Sequence, residues 1–104
     1  MIEIINTEPT LLEKIQQISK HYSPEQQIEK AKEALRELLA ELEAAEIING
    51  KLVLPDNIWS EAADVIIMNI QLAMQHGKEN KVRKQLEYKV NRQLRRMSEE
   101  GKTE

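Results

Sequence analysis

An all-α fold, a four-helix bundle completed by oligomerisation, is what this sequence predicts, on three observations. Apolar residues recur at intervals of three and four over four separate stretches. Aromatic residues make up 3 % of the chain, with no Phe, so the core must be aliphatic. Helix-end signals fall between the stretches, at Ser23-Pro24, Pro55-Asp56 and His76-Gly77. A length of 104 residues suits one domain, taken as residues 1–98 and followed by a polar tail over 99–104.

The first helix is expected over residues 8–21, where Leu11, Leu12, Ile15 and Ile18 keep helical spacing and Thr7 or Thr10 can cap the start. Ser23 as N-cap and Pro24 at the first helical position open the second, over 24–46. Its main apolar stripe is Ile28, Ala31, Leu35, Leu38, Leu39 and Leu42. Asn49-Gly50, set between Ile47-Ile48 and Leu52-Val53, signals a tiny hairpin. The third helix, 56–76, is apolar almost all round and belongs in the middle of a bundle, with Trp59 plugging the core at its start. It is too apolar to be covered within one chain of this size, which predicts an oligomer. The fourth, 78–98, carries Val82, Leu86, Val90, Leu94 and Met97 on one face, and the tail beyond it is expected to fray.

Charge is divided along the chain. Residues 1–75 hold 6 basic and 13 acidic side chains, whereas 76–104 hold 9 basic and 5 acidic, for a net charge of -3. That balance excludes a bulk nucleic-acid binder, since an acidic body repels a phosphate backbone. No Cys is present, which removes disulfides, thiolate metal sites and a cysteine nucleophile. No apolar run approaches the roughly 20 residues a membrane span needs. The start MIEIINTEP lacks the basic, then apolar, pattern of a signal peptide, so a cytoplasmic location with no membrane partner is expected.

The third helix concentrates the chemistry. Asn57, Glu61, Asp64, Gln71 and Gln75 line one side of an otherwise apolar element. Burying Glu61 and Asp64 there costs several kcal/mol unless they meet Arg or Lys partners or a cation. Their spacing lets both reach one ion, and an all-oxygen donor set suits Mg²⁺ or Mn²⁺ better than Zn²⁺. On the second helix Glu29, Glu33, Glu37 and Glu41 form a four-residue ladder, partly offset by Lys32 and Arg36, which reads as a solvated face. Glu33 and Glu37 nevertheless continue into Ala40 and Ala44, and if the third helix packs on that stripe, Glu37 meets Glu61 and Asp64. Lys89, Arg92 and Arg96 share a face of the fourth helix, either as solvated charges or as phosphate ligands. No glycine-rich loop or His-containing metal motif is present.

The run EALRELLAEL, a long connection, then EAADVIIMNIQLAMQHG and EYKVNRQLRRM resembles the MazG-like nucleoside triphosphate pyrophosphohydrolases of the all-α NTP pyrophosphatase superfamily, most of all their short phage and prophage members. The resemblance covers residues 11–97, and its most specific parts are Glu61-x-x-Asp64 and Lys89-x-x-Arg92. It implies a helical homodimer or homotetramer that binds Mg²⁺ (or Mn²⁺) through Glu37, Glu61 and Asp64. It further implies cleavage of an NTP or dNTP to the monophosphate and pyrophosphate. Lys89 and Arg92 would hold the substrate's phosphates, and Glu33 or Glu37 would accept the proton of the attacking water. The chain departs from the pattern at Ala34, where the family carries a second Glu of Glu-Glu-x-x-Glu, and at Glu87, where many relatives have Asn. A Glu at position 34 is expected to cost little stability. The competing reading is a catalytically degenerate helical module for interaction or nucleotide sensing.

Overall fold

The computed structural model describes residues 9–102 and is mostly helical, 77 %. Its order is α1 (Pro9–Ser19), α2 (Pro24–Glu43), β1 (Glu46–Ile48), β2 (Lys51–Val53), α3 (Ile58–Gln75) and α4 (Glu79–Lys102). The expected cap at Thr7 lies outside the described residues.

The start of α2 follows from its sequence. The Ser23 hydroxyl accepts from the Gln26 backbone N–H at 3.1 Å, and the Gln26 side-chain oxygen accepts from the Ser23 N–H at 3.0 Å. These reciprocal bonds satisfy two of the donors a helix start leaves open. Asn49 and Gly50 both adopt positive φ, 53° and 78°, as a two-residue turn matched to the strand twist requires. The hairpin pairs Glu46 with Val53, Ile47 with Leu52 and Ile48 with Lys51.

Several boundaries differ from expectation. α1 stops at Ser19 rather than at 21, and Thr10 lies inside its first turn instead of capping it. α2 stops at Glu43 because Ala44 and Ala45 turn the chain into β1. α3 begins at Ile58, with Asn57 as an N-cap that makes no side-chain bond. α4 continues through Ser98 to Lys102, since no Pro interrupts it and Gly101 falls only in its last turn.

Packing centres on α3, which lies against α2 and α1 and meets α4 more lightly. The inner seam of α2 runs Gln27, Ala31, Ala34, Leu38 and Glu41, alternating steps of four and three, with the first three buried. This corrects the expected main stripe: Ala31 and Leu38 face inward, but Ile28, Leu35, Leu39 and Leu42 are 42 to 54 % exposed. Small side chains let two helix backbones approach closely, so α3 takes the alanine side and the larger aliphatic flank is left outside. Trp59 is likewise 68 % exposed and plugs nothing.

Ile15, Ala31, Ala34 and Ile58 are the buried apolar residues among those described, while the largest fully buried side chains are Gln27 and Gln71. Gln27 donates to the Met68 carbonyl at 3.0 Å. Gln75 donates to the carbonyls of Ser19 and Tyr22, both at 2.9 Å, and so ties the α1–α2 turn to the end of α3. Lys30 sits 4.5 Å above the Tyr22 ring and steadies the same turn. With every side chain of residues 79–101 exposed, α4 stands apart from the three packed helices.

Gly77, at φ 64°, closes α3. The Gly77 N–H donates to the Met74 carbonyl and the Lys78 N–H to the Ala73 carbonyl, the paired bonds of a Schellman stop. Nothing lies within 4 Å of a Cβ built there, so the cost of a side chain is conformational only. Gly77→Ala is expected to lower stability by about 1 kcal/mol, read as a lower urea midpoint with an unchanged slope.

Candidate metal centre

The seam that buries Ala31 and Ala34 dictates what happens one turn further along α2. Because α2 and α3 run antiparallel around the hairpin, Glu37 arrives opposite Glu61 and Asp64. One carboxylate oxygen from each of the three lies within 4.8 Å of the others. The expected meeting of Glu37 with the α3 carboxylates therefore occurs, through the Gln27 to Glu41 seam; Ala40 and Ala44 stay exposed.

Like charges this close resist ionising together. Glu61 carries the strain, its carboxyl held above the ordinary 4.5. The causes are, in order, a contact with Glu37 that can share a proton, burial, and then the negative charges of Glu37, Asp64 and Glu41. The Oε2 atom of Glu61 is buried with no hydrogen-bond partner. Glu37 is exposed and Asp64 half-buried, so the group opens to solvent on the α2 side.

The other site residues read from sequence fall elsewhere. Glu33 is exposed on α2 and is not part of the three-carboxylate group. Lys89 and Arg92 are exposed on α4, and among the described residues no ion pair links them to the carboxylates. Lys32 pairs instead with Glu29 at 3.3 Å, an exposed contact of little energetic weight. Glu41 is the residue that sequence reasoning left in a solvated ladder; its place four residues after Glu37, on the inner seam, was the available signal.

Three carboxylate oxygens, one from a residue with an orphaned buried oxygen, fit a hard divalent cation such as Mg²⁺, which keeps several waters and is content with a few protein ligands. His and Cys are absent from the group, which disfavours Zn²⁺. Comparison of the chain with protein-family models, with curated proteins and with solved structures gives no match.

Because the folded state raises the Glu61 pKa, it binds more protons than the unfolded chain between 4.5 and that raised value. Stability without metal should thus fall as pH rises through this window. Glu61→Gln, which removes the charge but keeps the shape, should flatten that dependence and raise the metal-free melting temperature near neutral pH. A thermal scan of both proteins from pH 4 to 8 checks it, and matching curves would contradict the assignment.

Proposed function

We propose that this chain is a Mg²⁺-dependent nucleoside triphosphate pyrophosphohydrolase of the MazG-like type, acting as a homo-oligomer and converting an NTP or dNTP to the monophosphate and pyrophosphate. The observation that carries the reading is the convergence of Glu37 from one helix with Glu61 and Asp64 from another, at a cost that a cation offsets. These are the carboxylates that the family resemblance names. A divalent cation there supplies positive charge against the triphosphate, whose own charge would otherwise be repelled by the acidic body.

The chain's own groups then have distinct tasks. Glu61 and Asp64, on the more apolar helix, would hold the cation together with Glu37, which is exposed to solvent and would be able to take a proton from an entering water. Glu33, one turn away and exposed, is the alternative acceptor. Lys89 and Arg92 are exposed and make no ion pair with the carboxylates among the described residues, so the reading rests on the acids rather than on the cations of α4.

One observation favours the second reading, a degenerate module without turnover. Ala34, which stands where the family carries Glu, is 5 % exposed and packs in the α2–α3 seam. The expectation that Glu there costs little stability is therefore corrected: the side chain would enter a closely packed contact, with a loss of about 2 kcal/mol or more without metal.

Incubating the purified protein with a panel of NTPs and dNTPs plus Mg²⁺ and measuring pyrophosphate tests the activity directly. Mg²⁺ should raise the melting temperature, and Asp64→Asn should abolish that gain. Ala34→Glu should melt lower than the parent without metal, recover with Mg²⁺, and release pyrophosphate at least about tenfold faster, equivalent to roughly 1.4 kcal/mol of barrier. Binding of Mg²⁺ with no turnover in either protein selects the degenerate module.

A further inference from the structure

α4 spans 24 residues, about 36 Å at the helical rise, yet leaves every described side chain exposed. Val82, Leu86, Val90, Leu94 and Met97 form one apolar face of it, 37 to 58 % exposed. A helix with such a stripe is marginal in water unless something covers the stripe. A second bare stripe lies on α2: Ile28, Leu35, Leu39 and Leu42, on the flank beside the seam with α3.

The two stripes match in length, about 22 Å from Val82 to Met97 and about 21 Å from Ile28 to Leu42. They are opposite in charge: α4 carries 8 basic and 4 acidic side chains, α2 carries 3 basic and 6 acidic. Lys89, Arg92 and Arg96 line one edge of the α4 stripe, and Arg83 and Glu87 the other. Glu25, Glu29 and Glu43 border that of α2 together with Arg36 and with Lys32, which is already paired to Glu29. Pairing α4 with another α4 would set two helices of net positive charge together, and pairing α2 with α2 two of net negative charge, whereas α4 on α2 joins opposite charges. Within one chain the Gly77 turn sends α4 away from α2. The chain also exposes 8552 Å², against about 6,000 Å² for a compact monomer of its mass. Its radius of gyration is 16.8 Å against about 13 Å. The surplus exceeds the roughly 800 Å² per partner that a stable interface needs.

We infer that the protein forms a two-fold dimer in which α4 of each copy lies along the Ile28 to Leu42 flank of α2 in the other. The exchange is closed, because each copy gives one stripe and receives one, and neither stripe stays bare. The inference goes beyond the proposed activity, naming the paired surfaces, and does not depend on the cation: loss of Mg²⁺ binding with the dimer intact would defeat that activity and leave this pairing standing.

Light scattering on the full chain at tens of micromolar should give a dimer, and Val90→Glu, at a side chain outside the packed core, should weaken it at least tenfold. Since the chain has no Cys, single cysteines report the pairing. Leu35 and Val90 lie at the midpoints of their stripes and meet whichever way the helices run. A mixture of Leu35→Cys and Val90→Cys proteins should form a disulfide between copies under mild oxidation, and neither variant alone should do so. A monomeric parent, a disulfide as ready in one variant alone, or none in the mixture would each overturn the pairing.

Discussion

The close approach of α2 to α3, made through Ala31 and Ala34, is the constraint on which the rest of the molecule depends. Small side chains at consecutive seam positions let the two helices pack against each other, and the antiparallel hairpin connection sets their register. One turn beyond the alanines the same register delivers Glu37 onto Glu61 and Asp64. A wider seam built on the leucines of α2 would have separated these carboxylates and left them ordinary solvated acids. Packing thus forces together groups that electrostatics would keep apart, and the raised Glu61 pKa records that conflict.

A second consequence is a core that is small and partly polar. Gln27 and Gln71 are buried where leucines would be usual, and Gln75 spends both amide hydrogens on the α1–α2 turn. Such bonds orient elements more than they stabilise them, because each replaces a bond to water. The larger aliphatic side chains of α2 and α4 are displaced to the outside. In the dimer inferred above, the apolar surface kept on the exterior in two matched stripes would supply burial that the single chain lacks.

The functional reading and the packing meet at Ala34. The family resemblance treats this position as a lost carboxylate, whereas the geometry gives it a role of its own as a spacer between helices. On the proposed function the two descriptions are compatible: the methyl group sits in the seam that gathers the other acids, and a Glu in its place would add a carboxylate beside them. Glu41, drawn onto the inner face further along the same seam, adds negative charge near Glu61 in return.

How much was legible in the residues depended on whether a feature was local. Ser23-Pro24 determined the start of α2, Asn49-Gly50 the hairpin turn and His76-Gly77 the end of α3, because capping and positive φ are satisfied within a few residues. The i, i+3 carboxylates Glu61 and Asp64 stood out because charge on an apolar helix has few innocent explanations. Helical periodicity, by contrast, ranked the more apolar face of α2 as the main one, and most of that face proved to be left outside. Which face meets α3 is decided by how near two backbones can come, and that depends on side-chain size on both helices at once. The same reason hid the exposure of Trp59 and the membership of Glu41 in the acidic neighbourhood. Each is a relation between elements distant in sequence, which no local pattern encodes and which only the tertiary arrangement sets.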